Sequence, residues 1–153
     1  MKKTYFFHIL FLLLLSFGSC KKENFIVIEG IESISLECLL SLDEHQVIDQ
    51  PEEYSDLLDN YRDQNTNCLT YIYPQIDFTE KTLLGQRIEV TACSVSSVSE
   101  VLADPDQKEY IYQLQVNLEG ECEKLFERTI WIVVPKLPEN YTVSFRANYE
   151  RTK

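Results

Sequence analysis

The alternation of apolar and polar residues in the C-terminal half most constrains what this chain can fold into. Between Tyr110 and Leu118 apolar residues recur at every second position, and most residues between them are polar. A period of two predicts a strand with one buried face. The alternation returns at 141–149, and residues 125–134 form a further strand whose second half is apolar at every position. Such a continuous run is typical of a strand covered on both faces, so it predicts a central strand.

Earlier segments have weaker strand patterns. Leu69–Tyr73 predicts a short strand, and Phe25–Leu42 predicts one or two strands. In the stretch 81–102 the alternation shifts by one position near Ala92, which indicates either a bulge or two consecutive strands. The segment Asp104–Gln107 has a proline at its second position and predicts a turn.

Residues 49–61 carry the clearest helical pattern of the chain. Asp49 and Glu52 have the spacing of a capping box, and Pro51 lies in the first turn, where proline is tolerated. Four apolar residues then recur at helical spacing and form one face, namely Tyr54, Leu57, Leu58 and Tyr61. This face is the candidate cover for the apolar side of the strands.

Short turns between successive strands favour antiparallel pairing of neighbours in the sequence. The predicted fold class is therefore α+β, an antiparallel β-meander with one helix packed against it. Curling of the meander toward a small barrel is an alternative. The sequence has no internal repeat, and its length without a leader suits one domain with a core.

The first 20 residues have the layout of an export signal that ends in a cysteine. Two lysines precede an apolar run at Tyr5–Phe17, and two small residues separate this run from Cys20. The run is too short to cross a bilayer, since a spanning helix needs about 20 apolar residues. The pattern resembles a bacterial lipoprotein signal peptide, in which the cysteine is lipidated and becomes the new N-terminus. Phe17 stands where that pattern has leucine, so ordinary secretion with cleavage after Gly18 is the alternative.

This interpretation divides the chain into three parts. A signal peptide spans 1–19, a lipid-anchored tether spans 20–24, and one β-rich globular domain spans 25–153. Removing the leader with its two lysines leaves 12 basic and 25 acidic residues, a net charge of −13. Such a surface repels nucleic acid and anionic lipid headgroups. We therefore expect a protein of the cell envelope, anchored on either face of the outer membrane by its lipid, with no nucleic-acid partner.

The cysteine count agrees with a lipid on Cys20. Of the five cysteines, lipidation of Cys20 leaves an even set of four, namely Cys38, Cys68, Cys93 and Cys122. Export to an oxidising compartment favours disulfide bonds among them. Four cysteines allow three pairings, and Cys38–Cys68 with Cys93–Cys122 is preferred because each bond closes a loop within one half of the chain.

No pattern of the mature sequence indicates catalysis or a cofactor. His45 is its only histidine, and Asp43-Glu44-His45 is predicted to be a polar surface turn rather than part of a nucleophilic triad. The wide cysteine spacings lack a zinc signature, and Asp104-Pro105-Asp106 lacks the spaced carboxylates of a calcium loop. Three dispersed glycines do not form a phosphate cradle. We expect no catalytic residue, no metal site and no cofactor.

Tyrosines form the candidate contact surface. Tyr71, Tyr73, Tyr110 and Tyr112 lie on predicted strands, where exposed rings would contact a peptide or a glycan. Packing in a half-buried sheet is the alternative, and it is the more common role of aromatic residues on strands.

Three segments of the mature chain carry a resemblance to a protein family. Ile76–Gly85, Pro51–Tyr54 and Trp131–Pro138 resemble small uncharacterised lipoproteins of Bacteroidota-type bacteria, and so does the leader that ends in Ser-Cys-Lys-Lys. This resemblance covers most of the mature chain and implies an envelope lipoprotein without a known activity. The Asp-Phe-Thr and Leu-Gly steps within Ile76–Gly85 are also distantly similar to the accessory domain of bacterial protease complexes. That family continues with Thr-Gly-Gly, whereas this chain has Thr91-Ala92-Cys93.

Together these observations predict a lipid-anchored bacterial envelope lipoprotein. We expect it to act as a non-enzymatic binding or accessory module with a protein or glycan partner. Two alternatives stay open, a hydrolase that uses a carboxylate pair and a purely structural envelope protein. The hydrolase requires two carboxyl groups about 5–10 Å apart against apolar walls.

Overall fold

Two four-stranded β-sheets pack face to face, and a helix covers the outer face of one of them. The computed structural model describes residues 24–39, 42, 44–63, 68 and 70–152. Within these ranges the chain forms eight strands and one helix, in agreement with the predicted α+β class.

Five strands of 11 residues build most of both sheets, and three short strands lie at the edges. The short strands are β1 (Ile26–Val27), β2 (Glu32–Ile34) and β3 (Gln46–Ile48), and helix α1 follows at Pro51–Tyr61. The long strands are β4 (Lys81–Thr91), β5 (Ser94–Asp104), β6 (Glu109–Glu119), β7 (Leu125–Pro135) and β8 (Thr142–Thr152). Sheet I has the order β1-β5-β6-β8, and sheet II has the order β2-β7-β4-β3. β6 and β8 are parallel, and the other pairs are antiparallel.

The main core lies between the two sheets. Alternate residues of β6 point into it, and Tyr112, Leu114 and Val116 are completely buried there. Sheet II contributes the facing side chains, among them Leu84 and Ile132. Successive side chains of a strand point to opposite faces, so the apolar residues at every second position of β6 all point into the main core.

Sheet II is covered on both faces. Leu83 and Val133 point away from the main core and join a second cluster that includes α1. Tyr54 and Leu57 are the buried residues of α1, and Trp131 is only 5% exposed in the same cluster. This double cover explains why the second half of β7 is apolar at every position, and it confirms the predicted central strand.

Helix α1 confirms the predicted helix but not its predicted start. Gln50 is the N-cap residue, and its side chain makes no cap hydrogen bond. Glu53 rather than Glu52 reaches back toward the helix start, where its Oε2 accepts the N–H of Asp49 at 3.3 Å. The capping box predicted from Asp49 and Glu52 is therefore wrong, whereas Pro51 does lie in the first turn.

The strands do not form one continuous meander. In the described chain only the β5–β6 hairpin joins successive long strands within a sheet, whereas the links from β4 to β5 and from β6 to β7 pass between the sheets. β8 then crosses to sheet I and pairs in parallel with β6. The described residues form no closed barrel. A short link between two sheets contains the same residue types as a hairpin turn, so the sequence pattern does not separate them.

The segment 70–73 is not the predicted strand. Instead, the rings of Tyr71 and Tyr73 pack edge to face with their centroids 4.9 Å apart. Their hydroxyls donate hydrogen bonds to the carbonyls of Ser35 and Cys38 at 3.0 and 2.9 Å. These bonds hold the segment against the chain that follows β2, so it does not join either sheet.

Two other predicted regions resolve into short or separate strands. The stretch 81–102 contains two strands, β4 and β5, which belong to different sheets. The N-terminal segment forms the two short strands β1 and β2. Strand β3 is not predicted, because three residues are too few to show an alternation.

The four cysteines of the described chain form the disulfide bonds Cys38–Cys68 and Cys93–Cys122, which are the preferred pairs. The first bond is buried and the second is exposed. The exposed bond joins the β4–β5 and β6–β7 links at one end of the sandwich, which we name the disulfide end. The opposite end carries the β5–β6 turn, and the described chain begins beside it, so we name it the turn end.

Candidate functional site

A groove lies along the side of the sandwich where two long strands are only partly covered. Among the described residues, β1 pairs with β5 only at Leu102 and Ala103, and β2 pairs with β7 only at 131–133. Toward the disulfide end, both strands therefore lie at the rim of their sheets. The space there has a volume of about 600 Å³. We name it the edge groove, and it is lined by residues 33–37, Leu39, Ser97, Ser99 and residues 127–131.

The segment that follows β2 forms the outer wall of the edge groove. It leaves β7 at Ser35, and Leu36 is buried in the second cluster. The Cys38 carbonyl accepts the Asp63 N–H at 2.8 Å and the Tyr73 hydroxyl at 2.9 Å. With Cys38 also held by its disulfide bond, this segment is fixed away from β7.

The backbone of β7 presents alternate residues to the edge groove. The Ala92 N–H bonds to the Lys124 carbonyl and the Lys136 N–H to the Glu80 carbonyl, at the two ends of the β4–β7 ladder. In an antiparallel pair each residue directs both of its backbone groups to one side, and successive residues alternate. Even-numbered residues of β7 therefore bond to β4. Odd-numbered residues face β2 or the groove, and Thr129 is the central one of these along the groove.

Residues of β5 also alternate in the side to which they direct their backbone groups, but some of the groups on the groove side already have hydrogen-bond partners. The Ile28 N–H donates to the Val101 carbonyl at 2.9 Å, so odd-numbered residues of β5 face this side. Ser99 is one of them. Nearer the disulfide end, Arg128 Nη2 donates to the Val95 carbonyl at 3.3 Å. β7 is therefore the more accessible of the two strand edges.

A buried hydroxyl lies directly behind the groove. Tyr112 Oη is 3.2 Å from Ser99 Oγ and donates a hydrogen bond to the Ile130 carbonyl at 3.3 Å. Burial raises the pKa of Tyr112 to about 12, so this hydroxyl is protonated at neutral pH. Because Ser99 and Ile130 both line the groove, its inner wall contains polar atoms that are already hydrogen-bonded.

Two carboxylates, those of Glu37 and Glu127, line the edge groove. Glu127 binds Arg87 Nη2 at 3.0 Å, and Glu89 binds the same nitrogen at 2.6 Å. The Glu127 side chain is 39% exposed, and Glu37 is also exposed. A hydrolytic carboxylate pair needs apolar walls around it, and these two groups face solvent instead. The described residues include no group of three or more His, Cys, Asp or Glu that could hold a metal ion.

His45 lies at the opposite edge of the sandwich from the groove, beside β3. Its ring stacks on Phe145 with the centroids 4.6 Å apart, and its Nδ1 accepts the Arg87 N–H at 3.1 Å. Partial burial, followed by the charge of Arg87, lowers the pKa of His45. This hydrogen bond continues the contact between β3 and β4 by one residue before the start of β3.

The four tyrosines predicted on strands do not form one contact surface. Tyr112 is buried in the main core, and Tyr110 is half-buried against Tyr141 with ring centroids 5.1 Å apart. Tyr71 and Tyr73 support the outer wall of the edge groove through hydrogen bonds to its backbone. The packing alternative therefore describes them better than the contact surface does.

The acidic turn at Asp104–Gln107 is closed by the side chain of its first residue. Asp104 Oδ1 accepts the N–H groups of Asp106 and Gln107 at 3.0 and 3.1 Å. This is the geometry of a side chain that mimics a backbone turn. The predicted turn is confirmed.

A comparison with protein-family models, curated proteins and solved structures finds no match to this chain. The predicted lipidation site, Cys20, lies outside the described residues. Within the described ranges, no helix has the length and apolar character needed to span a membrane.

We expect amide hydrogen exchange to alternate along β7. The N–H groups of Arg128 and Ile130 bond to β4, whereas the Thr129 N–H faces the groove. Thr129 should therefore exchange at least about tenfold faster than both neighbours. Exchange rates from NMR of the isotope-labelled mature chain test this expectation. Equal protection of the three amides would show that another segment covers this edge.

Proposed function

We propose that this chain is an outer-membrane lipoprotein in which a lipid on Cys20 holds the β-sandwich as a non-enzymatic binding or accessory module. The observation that carries the proposal is the edge groove, a recess of about 600 Å³ beside partly covered strands. Proteins usually block such edges, because exposed backbone groups pair with other chains. A recess retained at this position supports a role in binding.

The position of the tether supports the same role. Ile26 pairs with Ala103 beside the β5–β6 turn, so the chain that follows Cys20 joins the sandwich at the turn end. A lipid on Cys20 would hold that end toward the membrane. Ser97 lies six positions before Ala103 along β5, so the edge groove extends up to about 20 Å away from the anchored end. A partner would reach it without contact with the lipid surface.

The two alternatives receive less support from the site. A hydrolase would need an enclosed carboxylate pair, and the groove carboxylates Glu37 and Glu127 are exposed. A purely structural role gives no reason for a recess of this size. The resemblance to envelope lipoproteins and the net charge of −13 after loss of the leader support an exported, anchored protein.

Crosslinking in intact envelopes tests the binding role. The tagged lipoprotein should recover a defined partner that is absent when a lipidated control domain of equal copy number is used. A control domain that recovers the same set of molecules would contradict the binding role. High copy number without a partner would favour the structural alternative.

Cys20→Ala should abolish acylation. Without the thiol no thioether to lipid forms, so metabolic labelling with a fatty-acid analogue should be lost and the domain should fractionate without the membrane. A Cys93→Ala/Cys122→Ala variant, which keeps Cys20, should retain the label. Persistent labelling of Cys20→Ala would show that the lipid is attached to another residue.

A further inference from the structure

We infer that the edge groove accepts an extended polypeptide segment of another protein, which adds as a strand beside β7 where β2 ends. This inference rests on the proposed binding role and names the partner class for the same site. β2 bonds to β7 only at 131–133, and Thr129 directs the next backbone N–H and C=O into the groove. An added strand would continue the ladder in the same register. Main-chain pairing of this kind binds a segment largely through its backbone.

The chain itself does not supply this strand from the segment that follows β2. That segment is fixed in the outer wall by the burial of Leu36 and by the Cys38–Cys68 bond. The described N-terminus lies at the turn end, beside Ala103. Neither of these described segments supplies the strand, so we assign the occupant to a segment of another molecule.

The shape of the groove favours a single extended segment over the edge of a folded sheet. Its outer wall is the segment Ser35–Leu39, and its inner wall includes Ser97 and Ser99 of the other sheet. Packed sheets lie about 10 Å apart, so a strand that is already part of a sandwich would bring a second sheet against these walls. An isolated segment of about five or six residues spans the accessible part of β7, which is ~20 Å long.

The two walls also set the side-chain chemistry of the segment. Alternate residues would face Ser97 and Ser99, where small or polar side chains fit. The residues between them would face Leu36, Leu39 and Trp131, where apolar side chains fit. Glu37, Glu127 and Arg128 line the same groove, and Glu127 is paired with Arg87. The remaining carboxylate of Glu37 favours a neutral or weakly basic segment over an acidic one.

Peptide selection tests this inference. A phage library of random nonapeptides would be panned on the mature lipoprotein in detergent, and recovered peptides would be measured by fluorescence anisotropy. Ser35→Trp places a large ring in the groove from an exposed position and should weaken binding at least tenfold. Ser96→Trp is the matched control, because Ser96 is exposed on β5 outside the groove, and it should leave binding unchanged.

Backbone methylation separates strand addition from other peptide binding. Two methylated versions of a recovered peptide would be compared, one N-methylated at its odd-numbered residues and one at its even-numbered residues. Only one set of residues directs its N–H groups toward β7, so one version should bind at least tenfold more weakly and the other should bind nearly as well as the unmodified peptide. The same peptide should slow exchange of the Thr129 amide. Equal loss of affinity in the two methylated peptides would overturn the inference. Binding that Ser35→Trp does not change would overturn it as well.

The envelope experiment distinguishes this failure from failure of the proposed function. A crosslinked partner whose recovery Ser35→Trp leaves unchanged would preserve the binding role and overturn strand addition. A glycan that occupies the groove and is lost with Ser35→Trp would likewise overturn the polypeptide inference. Absence of any specific partner, together with a peptide library that yields no binder, would overturn both.

Discussion

Loss of the buried Cys38–Cys68 bond is expected to lower the free energy of unfolding by about 5 kcal/mol. The sequence separation of 30 residues contributes roughly 3–4 kcal/mol through the entropy of the unfolded chain. Replacing both cysteines by alanine also removes two buried sulfur atoms, which costs a further roughly 1–2 kcal/mol. Urea unfolding of the Cys38→Ala/Cys68→Ala variant measures the total.

The second disulfide bond is a matched control. Cys93–Cys122 has a sequence separation of 29 residues, so its entropic contribution is nearly the same, but both of its cysteines are exposed. Cys93→Ala/Cys122→Ala should therefore cost only the roughly 3–4 kcal/mol of the entropic part. Equal losses in the two variants would show that the burial of Cys38 and Cys68 contributes nothing to stability.

The long strands could be predicted from the sequence because their burial is periodic. In β6 the residues from Tyr110 to Leu118 alternate between the main core and the outer face, as the pattern requires. In β7 the run from Ile130 to Val134 is apolar because both faces of sheet II are covered. These features are local, and one strand is enough to show them.

The partner of each strand could not be predicted in the same way. Whether the link after Thr91 folds back within its sheet or passes to the other sheet depends on contacts with distant strands. The parallel pairing of β6 with β8, from Glu109 with Thr142 onward, similarly depends on a crossover between the sheets. Neither feature alters the period of two in the strands concerned.

The edge groove could not be predicted from the sequence for a related reason. It exists because β1 and β2 are only two and three residues long, which is too short for a periodic signal. One signal was present in β5, where Val95, Ser97, Ser99 and Val101 share the inward-facing side. Ser97 and Ser99 are the two polar residues among these four inward-facing positions, and both are partly exposed. Polar residues on the inward-facing side of a strand indicate that the opposite sheet does not fully cover it there.

Gly85 is a position where the close packing of sheet II leaves no room for a side chain. Gly85→Ala should therefore lower the free energy of unfolding by about 3 kcal/mol. Gly85 lies directly opposite Trp131 in the β4–β7 ladder. A Cβ at Gly85 would lie within 3 Å of three atoms of the Trp131 ring. That ring is 5% exposed and packs with Leu57 and Phe78, so it has little room to move aside. Thermal and urea unfolding measure the loss.

A double-mutant cycle with Trp131→Leu separates this clash from any other effect of the alanine. Trp131→Leu leaves space above position 85, so adding Gly85→Ala in that background should cost at least about 1 kcal/mol less than in the native chain. The two substitutions would then be strongly coupled, as expected for residues in direct contact. Additive losses would instead show that the ring accommodates a Cβ, and that the contact between Gly85 and Trp131 does not limit the packing of sheet II against helix α1.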